Sequence, residues 1–241
     1  MAKTMHLFGD ESGNPGDFGD LPDDRHFMVA TATIGDDSWL SELDQLALEL
    51  QQRLNVPTIG APFHASNDRR DVVREVLTLV SERPIRVDAT IIDKRQLAPE
   101  WRERHLLYAA AWESHLVHVL PQFHPQPYPV DVVVASIGTA RELKTFKEGA
   151  DRAVAQAERE AGTYSAVLGL GMIGRMMLDT AAMVVRGRAG SPNADRGLQI
   201  VDYCLWAIHR RWERPAEAPW AYELIAHHVA SERLITLPSR N

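Results

Sequence analysis

Met5-His6-Leu7-Phe8-Gly9-Asp10-Glu11-Ser12-Gly13 begins as a short apolar run and ends on two adjacent carboxylates and a turn. The run reads as a strand over residues 4–10. A loop rich in Gly, Pro and Asp follows, from Ser12 to Arg25, unusually long for a hairpin. Carboxylates at the C-terminal end of an early strand are a common way to hold a hard divalent cation over a sheet edge, because Mg²⁺ and Mn²⁺ prefer oxygen ligands. Asp, Ser and Gly are also ordinary turn residues, and the stretch by itself fits that reading better.

Working outward, His26 to Ile34 is a second strand, with β-branched and apolar content and no breaker inside. Asp37-Ser38 caps a helix to about Asn55, with Leu40, Leu43, Leu46, Leu50 and Leu54 as its apolar stripe. Another helix starts near Ser66-Asn67-Asp68 and turns Val72, Val73, Val76 and Val80 to one face. Ile85 to Asp93 is a strand in which Ile85, Val87, Ala89 and Ile91 alternate with Arg86, Asp88 and Thr90, so Asp88 is expected to face solvent. Pro99 opens a helix to about Leu120. Val130 to Ile137 is a continuous apolar strand, as expected when both faces are covered. Thr139 caps a helix to about Ala161, with Leu143, Phe146, Ala150, Val154 and Ala157 inward, and Thr180 to Arg186 reads as a strand. From Asp195 to Glu213, Leu198, Val201, Leu205, Ile208 and Trp212 repeat at helical spacing. A last helix is expected over Trp220 to Glu232. Strands alternating with amphipathic helices indicate an α/β layered domain, and the early pair of strands makes the sheet mixed.

The 241 residues, 45% of them hydrophobic, suffice for one large domain. No linker or repeat divides them, so residues 1–241 read as a single domain with a C-terminal helix. The N-terminus lacks the apolar core of a signal peptide, and no apolar run approaches the length of a membrane span. The one cysteine, Cys204, has no partner for a disulfide and reads as a buried thiol in a helix. A soluble cytoplasmic protein is the expectation. A net charge of −7 argues against a general nucleic-acid coating protein. It leaves room for a nuclease, whose basic groups can be local: Arg186, Arg188, Arg196, Arg210, Arg211 and Arg214 fall in one C-terminal stretch, which alone reads as a solvated basic surface.

A second segment, Gly197-Leu198-Gln199-Ile200-Val201-Asp202, changes the weight of the first. Asp202 falls one helical turn after Leu198, beside the apolar stripe, and faces the sheet. A buried carboxylate needs a cation, an arginine or hydrogen bonds. Arg196 or Arg210 would serve as a salt-bridge partner; a metal is the sharper reading. Gln199 is placed to orient Asp202 or a water.

Four motifs occur in order: Asp10-Glu11-Ser12-Gly13 on the first strand, Phe63-His64-Ala65 before a helix, Ile92-Asp93-Lys94 ending a strand, and Leu198-Gln199-Ile200-Val201-Asp202 near the C-terminus. Together they resemble the bacterial and phage "domain of unknown function 3800" family, of the ribonuclease H-like superfamily, from about Met5 to Trp212. The resemblance implies a ribonuclease H-like fold, a mixed central sheet flanked by helices. There, carboxylates from the first strand, the sheet centre and the final helix hold two divalent metals that clamp the attacking water and the leaving oxygen of a phosphodiester.

Carried onto this sequence, the resemblance makes Asp10 the first-strand ligand and Asp202 the final-helix ligand of Mg²⁺ or Mn²⁺. Glu11 matches the motif too. Adjacent strand residues point to opposite faces, so Glu11 shares the metal only if the backbone turns at Ser12-Gly13, and otherwise anchors the loop. His64 is expected as a ligand or proton-transfer group, or as a structural histidine. Lys94, Arg186, Arg188 and Arg196 are candidate contacts to the phosphates of a nucleic-acid substrate; Lys94 reads equally as a surface lysine at a strand end.

One departure stands out. Similar proteins often carry an Asp at the end of the strand that here reads Val132-Val133-Val134-Ala135-Ser136. Asp131 lies at the opposite end. The departure leaves one weak metal, a replacement such as His64 or Asp93, or a catalytically impaired binding or regulatory module. Gly169-Leu170-Gly171-Met172-Ile173-Gly174 matches the literal dinucleotide-binding pattern without its helix or acidic partner. His115 and His118 share a helix without a third zinc ligand, and His227 and Glu223 lack a companion motif.

Overall fold

The computed structural model describes residues 5–16, 25–54, 63–123, 130–135, 185–190 and 195–238, with helical residues at 144, 148, 149, 151–153, 155, 156 and 159. Six strands form one sheet: β1 (Met5–Ser12), β2 (His26–Ile34), β3 (Ile85–Asp93), β4 (Val130–Ala135), β5 (Val185–Gly190) and β6 (Val229–Ile235), in the order β5-β4-β1-β2-β3-β6. β1, β2 and β3 are antiparallel neighbours, while β4 runs parallel to β1, β5 to β4 and β6 to β3. The sheet is mixed, as the early strand pair implied. All of β2 is buried, its threonines and His26 included, because helices cover both faces.

Helices α1 (Glu42–Leu54), α2 (Arg70–Ser81), α4 (Arg196–Glu213) and α5 (Pro219–Ile225) pack with Phe8, Met28, Ala30, Ala32, Val87, Ala89 and Ile91 on one face. Helix α3 (Arg104–Val119) packs with Leu7, Phe27, Val29, Ile92, Val132 and Val134 on the other. Glycines set both approaches. A Cβ on Gly197 would lie 2.3 Å from Phe8 Cδ2, and one on Gly9 would lie 2.6 Å from Trp112 Cη2 of α3. Alternation along β1 thus assigns Phe8 and Asp10 to the α4 face, and Leu7, Gly9 and Glu11 to the α3 face.

Three expectations are corrected. Asp88 is fully buried, because β6 covers the edge of β3 and α3 its face. Burial pushes its carboxyl up, but the Arg86 guanidinium (2.7 Å) and the Ser231 hydroxyl (2.6 Å) outweigh burial and hold it below the usual range. The last helix stops at Ile225, and Val229–Ile235 is a strand. Of the strand expected over Thr180 to Arg186, Val185 and Arg186 lie in β5, and residues 180–184 lie outside the described residues. Helix α2 begins at Arg70 rather than near Ser66, for a reason given below.

In the segment between 144 and 159, Ala153 is buried; Leu143, Phe146, Ala150, Val154 and Ala157 lie outside the described residues, as does Gly169 to Gly174. His115 is no zinc ligand: Thr31 Oγ1 and Thr90 Oγ1 each lie 3.0 Å from one of its ring nitrogens, and burial lowers its pKa to about 3. His227 Nε2 lies 3.0 Å from the Ser81 carbonyl oxygen. Among the described residues, no helix is long and apolar enough to cross a membrane.

Gly197→Ala should destabilise the protein by roughly 1–3 kcal/mol, because the added methyl overpacks the Phe8 contact. Helix propensity alone would favour Ala, so the sign of the shift in denaturant midpoint tests the contact.

Candidate functional site

Asp10 and Asp202 lie far apart in sequence and meet on one face of the sheet. β1 delivers Asp10 at its C-terminal end, opposite Ala30 of β2. α4 delivers Asp202 because Leu198, Val201 and Leu205 must be buried against that face, which brings the neighbouring position down with them. The two carboxylates repel. Burial, then Glu11, then Asp202 push the Asp10 carboxyl well above its ordinary value, against one backbone hydrogen bond from Glu11 N–H at 2.9 Å. Asp202 is also raised: burial dominates, and Asp68 adds to it against the Ala65 N–H and His64.

The segment before α2 completes the site. Ala65 N–H donates to Asp202 Oδ2 at 2.8 Å, and His64 Nδ1 stands 3.6 Å from the same oxygen. Asp68 Oδ2 accepts from His64 N–H at 2.8 Å and from the Tyr203 hydroxyl. Phe63 is buried and meets Tyr203 edge-on at 6.3 Å. Asp68 is therefore occupied with holding the segment to α4, and α2 starts two residues later. The His64 side chain stays about half exposed, at 51%, on the rim beside Asp202. Sequence reading missed the roles of Asp68 and Tyr203; Asp68 carried only the signal of a helix cap.

The other expected residues divide clearly. Glu11 is not brought to Asp202. β1 continues through Ser12, paired with Met28, before the backbone turns at Gly13 (φ 86°), so Glu11 points to the α3 face, where Oε2 lies 3.5 Å from the Tyr108 hydroxyl. Lys94 is no surface lysine: it is buried, and Nζ donates to the Asn14 carbonyl at 3.2 Å, tying down the loop after β1. Asp93 is no replacement ligand, since it pairs with Arg25 and accepts from Arg95 N–H at 3.0 Å. Arg196 pairs with Asp44 and Arg210 with Glu217, rather than with Asp202. Arg186 and Arg188 lie on β5, in register with Asp131 and Val133, and their side chains fall outside the described residues. Asp131 sits beside His6, at the far end of β1 from Asp10. Ala135 ends β4 one residue past Val134, the partner of Gly9, and so stands next to Asp10, at the place where the resemblance led a third carboxylate to be expected.

Among the described residues, no group of three or more His, Cys, Asp and Glu side chains is arranged to hold a metal ion. The arrangement is a pair of mutually repelling carboxylates, one backed by a backbone amide, with an accessible imidazole alongside. No family model, curated protein or solved structure matches the chain.

Both carboxyls titrate higher in the fold than in the unfolded chain. The native state then binds extra protons between the ordinary value of 3.8 and the raised ones, so stability falls as pH rises through that window. In chelator, Asp10→Asn should raise the thermal midpoint at pH 7, and the gain should fade as the pH approaches 3.8, which midpoints measured across that range will check.

Proposed function

We propose that the protein is a divalent-metal-dependent phosphodiesterase acting on nucleic acid, on a ribonuclease H-like fold. The observation that supports it is the convergence of Asp10 and Asp202, from the first strand and the last long helix, with no arginine between them among the described residues. Two half-buried like charges side by side are a costly arrangement unless a cation or a shared proton occupies the space between them. The oxygen donors suit Mg²⁺ or Mn²⁺. Mg²⁺ in particular is commonly held by one or two carboxylates, with waters and substrate phosphates filling its other positions, so a two-carboxylate set fits it without the third ligand that Ala135 omits.

In this reading Asp10 and Asp202 are the metal ligands. Ala65 N–H holds Asp202 in orientation, and the bond Asp68 accepts from His64 N–H fixes the backbone from which the imidazole projects. A bound cation would lower the pKa of water and neutralise charge developing on the phosphate. His64, exposed and adjacent to Asp202, is the group placed to pass a proton between the site and solvent. Glu11 plays no part in this set, and Lys94 contributes through the loop rather than by touching phosphate. Arg196 is exposed at the start of α4, where its pairing with Asp44 is exchangeable.

Ala135 at the end of β4 favours a second reading, in which the fold binds nucleic acid or protein without cutting. The two separate in a cleavage assay over single- and double-stranded DNA, RNA and an RNA–DNA hybrid, with added Mg²⁺ or Mn²⁺. Wild type should cleave at least one substrate. Asp10→Asn and Asp202→Asn should each be slower by at least about a hundredfold, the upper end of the loss seen for groups that merely support a metal ligand. Undiminished metal-dependent cleavage by Asp10→Asn would remove the assignment, and binding with no cleavage at any metal concentration would select the second reading.

His64→Ala should lower kcat by roughly 10²-fold or more if the imidazole carries a proton. Single-turnover rates at saturating metal will separate this from weakened metal binding.

A further inference from the structure

Beside Asp202, a cleft of about 220 Å³ opens between the start of α2 and the outer side of α4 and α5, lined by Ser66, Arg70, Trp206, Arg210 and Trp220 among others. It adjoins the candidate site through Ala65 and Ser66. Ala65, which also lines it, donates its N–H to Asp202, and the Ser66 hydroxyl lies 3.1 Å from His64 Nδ1. A second, more open depression of about 470 Å³ follows along α2, lined by Arg69, Arg70, Asp71, Arg74 and Glu75, of which Asp71 is paired with Arg69 and Glu75 with Arg53.

Charge decides what the cleft suits. Its two acids are already engaged: Asp68 by His64 N–H and Tyr203, Glu217 by Arg210 and Arg214. Among the described residues Arg70 and Arg74 make no ion pair; their guanidiniums stand 5.5 and 4.5 Å from the Trp220 ring centre. Arg210 lies 5.3 Å from the Trp206 ring. On a chain of net charge −7, this is a local positive strip interleaved with indole rings. Such a combination binds single-stranded nucleic acid, with arginines tracking the backbone and aromatic rings stacking with bases. Pockets enclosing a whole small ligand usually measure roughly 300–1,000 Å³, so the smaller cleft suits one residue of a polymer that continues into the depression at Arg74. A base locked in a duplex stack could not enter.

We propose that this cleft holds one nucleotide of a single strand flanking the bond presented to Asp10 and Asp202, its base against Trp206 and the neighbouring phosphates at Arg70 and Arg74. This rests on the nucleic-acid reading above and adds the substrate class: single strands, or duplexes with unpaired ends.

The test is fluorescence anisotropy in chelator, so that nothing is cut, with short labelled single-stranded DNA and RNA oligomers and the matching duplexes. Wild type should bind single strands more tightly than duplex. The double variant Arg70→Glu, Arg74→Glu alters exposed side chains and should fold. It should bind at least about tenfold more weakly, and the slope of log affinity against log salt should shrink by about 0.7 for each phosphate that the protein ceases to neutralise. Trp206→Ala should cost roughly fivefold to a hundredfold, with Trp206→Phe keeping most of the affinity. Preference for duplex, no oligomer binding by wild type, or unchanged affinity in the folded arginine variant overturns the proposal. Cleavage is scored separately. Wild type that cuts in Mn²⁺ while indifferent to Arg70, Arg74 and Trp206 sinks the cleft and keeps the nuclease; wild type that binds through them and never cuts does the reverse.

Discussion

Helix α4 lies on the sheet at a distance that only a glycine permits, with Gly197 against the Phe8 ring. The rest of the site follows from that contact. With the start of α4 pinned beside β1, its apolar positions fill the space over β1 and β2, and Asp202 is carried down into reach of Asp10. Tyr203, the next residue, turns toward the segment before α2 and holds it through Asp68. One helix therefore supplies a carboxylate, a buried core and the clamp that positions His64.

The two faces of the sheet treat their inward carboxylates in opposite ways. On the α3 face, Asp88 has a guanidinium and a hydroxyl, and its acidity is strengthened. On the α4 face, Asp10 has an acidic neighbour on its own strand and another on the helix, and its acidity is weakened. The first arrangement is self-sufficient, as a structural ion pair must be. The second is an electrostatic imbalance that the described side chains leave open, which is characteristic of sites that bind or react rather than merely hold a fold together. This contrast, more than the shape of any cavity, separates a candidate site from the other polar clusters in the interior.

The sequence made much of this legible because the elements that matter carry strong periodic patterns. β2 and β3 have the boundaries that their apolar runs imply, and α4 is bounded as its repeat implies. What stayed hidden was set by partners distant in sequence. Val229–Ile235 has apolar ends and a polar middle, and only parallel pairing with β3 makes it a strand. Asp88 alternates like a solvent-facing residue, and the cover over it comes from β6 and α3. Glu11 sits on the wrong face for Asp202 because β2 runs opposite it, extending β1 through Ser12. Asp68 looked like a cap, since nothing local announces that Tyr203 will claim its carboxylate.

The thiol of Cys204 shares α4 with Asp202 but faces the core; it is fully buried, and burial foremost pushes its pKa up to about 12. A thiol so placed reacts only when its surroundings open. As the one cysteine in the chain, it reports on a single event, the departure of α4 from the sheet. Its labelling rate under native conditions would therefore time how often the helix that assembles the site lets go.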